Sequence, residues 1–236
     1  IRRALNELRH IETDITALRG TLQGVVQVGA LPLGRTRILP EAIVRLVAEH
    51  PAIQVITNES PFDLLATELR AGDVDFIFGA LRSEAYASDL TGEALLTEDM
   101  VVLARRDHPL YAKTALHHEL GSARWVLPRA GSPARQMLDE CFARFGIAPP
   151  RPVVESADMA IIRGLLLRSD MLAAVSAHQL EQEIASGELC ILPVELKQTT
   201  RAIGLTYRHG CLHTPVAQAL MEMIRRVIRE QAAISV

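Results

Sequence analysis

"VQVGALPLGRTRILPEAIVRL", residues 26–46, opens as a β-strand and closes as an α-helix, with Pro32, Gly34, Arg35 and Arg37 crowded into the turn between them. Val25–Leu31 is an apolar run of strand length. Beyond the turn Ile38, Leu39, Ala42, Ile43, Leu46 and Val47 fall at i, i+1, i+4, i+5, i+8 and i+9, one face of a helix that Pro51 ends. The alternation then continues. "IQVIT" (53–57) reads as a strand, Phe62–Arg70 as a helix with Leu64, Leu65 and Leu69 inward, and "VDFIFGA" (74–80) as a third strand after an "AGD" turn. A βαβαβ order requires a parallel sheet with helices on its faces.

"MVVLARR" (100–106) reads as a further strand, broken by "DHPLY". A second α/β set follows: strand, turn and helix in "RWVLPRAGSPARQMLDECFARFG", the same in "VVESADMAIIRGLLL", and short strands in "MLAAVS" and "LCILPV". "RAIGLTYRHG" returns as a strand, and "TPVAQALMEMIRRVIRE" closes the chain as an amphipathic helix. Its Arg225, Arg226 and Arg229 are expected to face water. The chain thus passes twice between two α/β units, near Arg105–Pro109 and near Gln198–Ala202. Such a layout puts ligand contacts at the carboxyl ends of strands and at the starts of the helices that follow.

Residues 1–20 follow a different rule. Leu8, Ile11, Ile15 and Leu18 recur at spacings of 3, 4 and 3 among charged neighbours, a coiled-coil seam of about two heptads that needs a partner helix. The seam starts abruptly at Ile1, as if a segment upstream had been removed.

Composition bounds the function. The 236 residues, 49% hydrophobic, suffice for a substantial core, and a net charge of −3 with no basic run leaves no footprint for nucleic acid or an anionic membrane. Neither a membrane span nor a signal peptide is encoded, so a cytoplasmic location is expected. Cys141, Cys190 and Cys211 lack CxxC spacing and read as small core residues, with no metal site and no cofactor implied. No catalytic set emerges: "AGSPA" has a proline after its serine, which removes an oxyanion-hole amide, and the adjacent histidines of "HHEL" cannot share one helix face. "LPLGRT" lacks both the GxGxxG and GxxxxGK[ST] spacings, so it is neither a dinucleotide loop nor a P-loop.

The succession of a heptad helix running into "LQGVVQVGALPLGRTRILPEAIVRLVAEHPAIQV", then "LRAGDVDFIFGA", "ARRDHPLYAKTAL", "VESADMAIIRGLLL" and "SGELCILPV" resembles the LysR-type bacterial transcriptional regulators over nearly all of the chain. The resemblance implies a linker helix (1–20) followed by an α/β effector-binding domain of the type 2 periplasmic-binding-protein fold. Its two Rossmann-like lobes, 24–104 with 203–236 and 105–202, are joined by a hinge of two crossovers. It implies a small anionic or polyhydroxylated effector held in the interlobe cleft. DNA would be bound only through a winged helix-turn-helix absent from this sequence, and the chain would self-associate as a homodimer or homotetramer, away from any membrane.

Carried over to this sequence, the effector contacts are Pro32, Leu33, Gly34 and Arg35 in the opening turn, with Ser60, Arg129, Ser132, Ser156 and Ser176 at equivalent turns. Each serine is equally a helix cap, and the arginines are equally solvated cations. The dimer surface is expected at Ile38, Ala42 and Leu46 of the first helix and Ile161 and Leu165 in "IIRGLLL". Ser169 and Asp170 replace a glycine pair common in the family, so the backbone there is expected to differ. A solute-binding protein of a transport system is the alternative reading.

Overall fold

Hydrophobic periodicity sets most of the elements. The computed structural model describes residues 22–83, 87–111 and 116–234; the linker helix expected over 1–20 lies outside them. The chain forms two units, one up to Thr97 and again from Ala202, the other Glu98–Arg201.

In unit 1 the strands are β1 (Gly24–Ala30), β2 (Ile53–Asn58), β3 (Phe76–Ala80), β4 (Leu90–Glu98) and β10 (Arg201–Arg208), in the order β2-β1-β3-β10-β4. β1 pairs in parallel with β2 (Val26 opposite Val55) and with β3 (Gly29 opposite Ile77), and β10 returns antiparallel to β3 (Gly204 opposite Gly79). Asp75 locks the start of β3 to β1. Its carboxylate accepts the Gln27 amide at 2.8 Å, and its own amide donates to the Gln27 carbonyl at 2.8 Å, so it is a structural residue.

α1 (Ile38–Glu49) and the closing helix α7 (Pro215–Ile234) cover one face, burying Ile38, Leu39, Ala42 and Leu46 against Val216, Leu220, Ile224 and Val227. α2 (Phe62–Ala71) covers the other with Phe62, Leu65, Ala66 and Leu69, and ends at Gly72, whose φ of 80° supplies the left-handed cap. Leu64, expected inward, is exposed. β4 escaped the sequence reading because Gly92, Glu93 and Glu98 interrupt its apolar alternation.

Arg225 does not face water as expected. Its guanidinium forks onto Glu93 of β4, Nε to Oε1 at 2.8 Å and Nη2 to Oε2 at 2.7 Å, and this fork holds the Glu93 carboxyl below its ordinary range. A lowered folded pKa means the pair stabilises above the unfolded value near 4.5 and loses that contribution as pH falls through the folded value. We expect unit 1 to lose about 1 kcal/mol from this pair as pH falls below the unfolded value and through the folded one. Hydrogen exchange of α7 amides reads that loss, and Glu93→Gln should flatten the acid dependence.

Unit 2 contains β5 (Val101–Arg105), β6 (Arg124–Leu127), β7 (Val154–Glu155), β8 (Met171–Val175) and β9 (Leu189–Ile191), in the order β7-β6-β8-β5-β9. β5 runs antiparallel to both β8 and β9, so it belongs to this sheet rather than to the first lobe, where the 24–104 boundary placed it. The first passage of the chain between units therefore comes at Thr97–Glu98, earlier than Arg105–Pro109. α3 (Leu116–Ser122) and α4 (Pro133–Arg144) pack on one face around Trp125 and Phe142. α5 (Met159–Arg168) packs on the other against Val126, Leu103 and Ala173, and the short α6 (Glu181–Ala185) precedes β9.

The "DHPL" break is a fastening. The His108 ring accepts the Leu110 amide on Nδ1 at 3.1 Å and reaches the Asp170 carbonyl with Nε2 at 3.2 Å, while Arg105 pairs with the Asp170 carboxylate at 2.6 Å. Ser169 and Asp170 take their places without positive φ. Gln198 alone among the described non-glycine residues has one.

Candidate functional site

In unit 1 the opening turn is a single 3-10 turn, Pro32–Gly34, shaped by its own packing. The Leu31 amide donates to the Phe78 carbonyl at 3.0 Å, the Gly34 amide to the Leu31 carbonyl at 2.9 Å and the Arg35 amide to the Pro32 carbonyl at 3.4 Å. Leu33 is in the core. Gly34 is required because a Cβ there would stand 2.6 Å from the Phe78 ring. Arg35 turns back, its Nε donating to the Ala30 carbonyl at 2.7 Å. The amides expected to face an anion are thus engaged locally at Gly34 and Arg35. Ser60 does not cap α2; the cap position is Pro61.

The expected dimer stripe needs correction. Ile38, Ala42 and Leu46 are each 3% exposed or less, because α7 covers them within unit 1. They offer no surface to another chain. The apolar residues that α1 leaves in solvent are Val44 and Val47, 62% and 37% exposed. On α5, Ile161 is 51% exposed while Leu165 is half-buried against the core.

In unit 2, Ser132 is the N-cap of α4: its hydroxyl donates to the Arg129 carbonyl at 2.8 Å and accepts the Arg135 amide at 3.3 Å. The hydroxyl acts as a cap, so Ser132→Ala is expected to lower stability by about 1 kcal/mol in urea unfolding. The Arg129 side chain is exposed. Arg135 pairs with Asp139 at 2.8 Å and with Glu155 at 3.4 Å, so it has carboxylates of its own. Ser156 accepts the Asp158 amide at 3.1 Å, and Asp158 in turn caps α5.

Ser176 is fully buried at the end of β8, is the N-cap of a 3-10 turn (Ala177–Leu180) in a reciprocal capping box with Gln179, and in addition receives Nη2 of Arg201 on its hydroxyl at 2.5 Å. The Ser176 amide donates to Oε1 of Gln179 at 3.3 Å. Arg201, which begins β10 but groups with unit 2, was read from the sequence only as strand. Burial pushes its guanidinium down to about 10, with Glu98 and Asp99 pulling the other way. Its Nε is buried and has no hydrogen-bond partner among the described residues. A buried donor left unmade costs about 1–3 kcal/mol.

The nearby carboxylates have other partners: Glu98 stands 2.8 Å from Nδ1 of His178, and Asp99 receives the Thr200 hydroxyl. Thr199 fastens the same segment, accepting the Met100 amide at 3.1 Å and donating to the Leu196 carbonyl at 2.7 Å. The two passages of the chain into and out of unit 2 are therefore tied together inside it.

The cysteines are free thiols. Burial raises the Cys141 and Cys190 pKa values, which makes them poor nucleophiles, and no group of three metal-ligating side chains exists among the described residues.

Residues 19–229 match the LysR substrate binding domain family model. The chain belongs to the LysR substrate-binding-domain family. A relative 68% identical over 232 residues is the HTH-type transcriptional regulator GalR of Pseudomonas putida; the match covers 98% of this chain and 58% of that protein. The chain thus spans a little over half the length of that relative. Among solved structures, a C206 mutant of Corynebacterium glutamicum OxyR superposes with a TM-score of 0.74 at 22% identity, covering 98% of this chain and 72% of that one. The Synechocystis PCC6803 CcmR regulatory domain in complex with 2-PG gives 0.74 at 20% identity, covering 88% and 98%. The fold is that of LysR effector-binding domains, the type 2 periplasmic-binding-protein fold, and the relatives in the family are named as regulators rather than enzymes. No described helix of this LysR domain is long and apolar enough to cross a membrane.

Proposed function

We propose that this LysR domain is the effector-sensing and self-association region of a cytoplasmic transcriptional regulator. It binds a small polar or anionic metabolite and controls DNA binding by a helix-turn-helix segment of the longer protein. The family match over residues 19–229 carries this reading, and the regulator name of the 68% identical relative supports it over a transporter's solute-binding protein. Energetically, the metabolite acts by binding one arrangement of the domain better than another, since only differential affinity shifts such an equilibrium.

The opening turn and Ser60 in unit 1, and Arg129, Ser132, Ser156 and Ser176 in unit 2, remain proposed contact residues. Of these, Ser176 has the strongest support, from its burial beside Arg201. Self-association is assigned to the exposed Val44 and Val47 of α1 and Ile161 of α5, the apolar side chains those helices leave uncovered.

The test is DNA occupancy. The longer regulator carrying this chain should protect a DNA segment next to its own gene, and a metabolite that stabilises the chain should change the extent of that footprint. Protection that responds to no metabolite overturns the reading.

A further inference from the structure

We propose that unit 2 carries a carboxylate-binding site built from the Nε–H of Arg201 and the hydroxyl of Ser176, so that the sensed metabolite is a carboxylic acid. This inference rests on the effector-sensing reading and names the chemistry of its ligand.

The guanidinium is the reason. Nε–H and one Nη2–H leave the same edge of an arginine at the spacing of the two oxygens of a carboxylate. Here that edge is half engaged: Nη2 donates to Ser176 Oγ at 2.5 Å, and the buried Nε has no partner among the described residues. Ser176 accepts from Arg201 and so keeps its own O–H proton to donate. A carboxylate at this edge would receive Nε–H with one oxygen and the serine hydroxyl with the other.

The surroundings bear on the charge the ligand can carry. Glu98 and Asp99 lie within electrostatic reach of Arg201; Glu98 stands 2.8 Å from Nδ1 of His178, and Asp99 receives the Thr200 hydroxyl. One cation set beside two carboxylates has no positive charge to spare, so repulsion weighs more on a phosphate dianion than on a monoanion, which must gain its binding from the Nε–H and hydroxyl hydrogen bonds.

The site is also coupled to a movable backbone. Nε is out of reach of solvent in this conformation, so a ligand enters as the segment Lys197–Arg201 shifts. Gln198 within it holds φ at +59°, a strained value for a residue with a side chain. An unmet donor beside a strained turn lets a carboxylate stabilise a second arrangement that relieves both.

The experiment uses the whole 236-residue chain labelled with 15N-arginine, in which the Arg201 Nε–H resonance is identified by its absence from Arg201→Lys. Acetate and benzoate are titrated against benzyl alcohol and inorganic phosphate at matched ionic strength. We expect the carboxylates to move that resonance saturably and raise Tm, with benzyl alcohol without effect and phosphate weaker. Arg201→Lys should lose the response, and Ser176→Ala, which keeps the guanidinium, should weaken carboxylate affinity about tenfold, or 1.4 kcal/mol. Far-UV circular dichroism checks the fold of each variant, and the wild-type resonance decides if either fails to fold. An unmoved Nε–H signal, or Arg201→Lys responding like wild type, overturns the proposal. A neutral metabolite that stabilises wild type and Arg201→Lys equally would overturn it while leaving effector sensing intact.

Discussion

Replacing Gly204 by alanine is expected to prevent unit 1 from closing its sheet. Gly204 lies in β10 between β3 and β4, opposite Gly79 on one side, and a Cβ built on it would stand 1.8 Å from the Glu93 carbonyl oxygen and 2.9 Å from its carbon. The obstacle is backbone, so no rotamer change relieves it, and moving β4 away would break the β10–β4 pairing and the Arg225–Glu93 fork together. Ordinary overpacking of a core costs about 1–3 kcal/mol, and a backbone collision of this depth should exceed that range. The protein has a single tryptophan, Trp125, which belongs to unit 2. Gly204→Ala should therefore lose far-UV ellipticity and α7 amide protection while Trp125 fluorescence keeps its buried character. A variant with wild-type urea midpoint would show that β4 can shift freely.

Trp125→Ala is the matching expectation for unit 2. The indole is fully buried, meets Phe142 edge-on with ring centroids 5.3 Å apart, and donates Nε1–H to the Leu120 carbonyl at 2.8 Å, tying α3 to β6. Truncation removes the ring, leaves a cavity between β6 and α4, and strands a buried carbonyl. Together these should cost about 3–5 kcal/mol in urea unfolding followed by circular dichroism. Trp125→Phe should recover part of this, since it restores most of the volume without the hydrogen bond. A loss under about 1 kcal/mol would mean that the pocket collapses around the missing ring.

The fold was legible wherever one periodicity ran unbroken. The strand, turn and helix of residues 26–46, the apolar strand at 74–80 and the closing helix all came from spacing alone, because a stripe at helical or strand period has few ways to bury itself. β4 was missed because it sits at a sheet edge with charges along it, and β5 was given to the wrong unit because pairing partners are a long-range property absent from local pattern. The site was less legible. A serine before a helix has the same signature as a cap or as a ligand contact, and Ser132 proves to be a cap. Arg201 looked like any strand-entry cation, and its interest comes only from burial against Ser176. The stripe Ile38, Ala42, Leu46 was read correctly as apolar but assigned to a partner chain, since sequence cannot say which of two apolar surfaces α7 will take.

Recognition of a small metabolite is what the proposed role requires of this LysR domain. Differential scanning fluorimetry of the 236-residue chain against organic, sugar and aromatic acids, sulfonates and neutral polyols tests it most directly. At a hundredfold excess over its dissociation constant a native-state ligand contributes about 2.7 kcal/mol, which for a protein of this size raises Tm by about 5–10 °C. At least one compound, and with Arg201 as its partner a carboxylate, should produce that shift. A flat response across the whole panel would contradict the account.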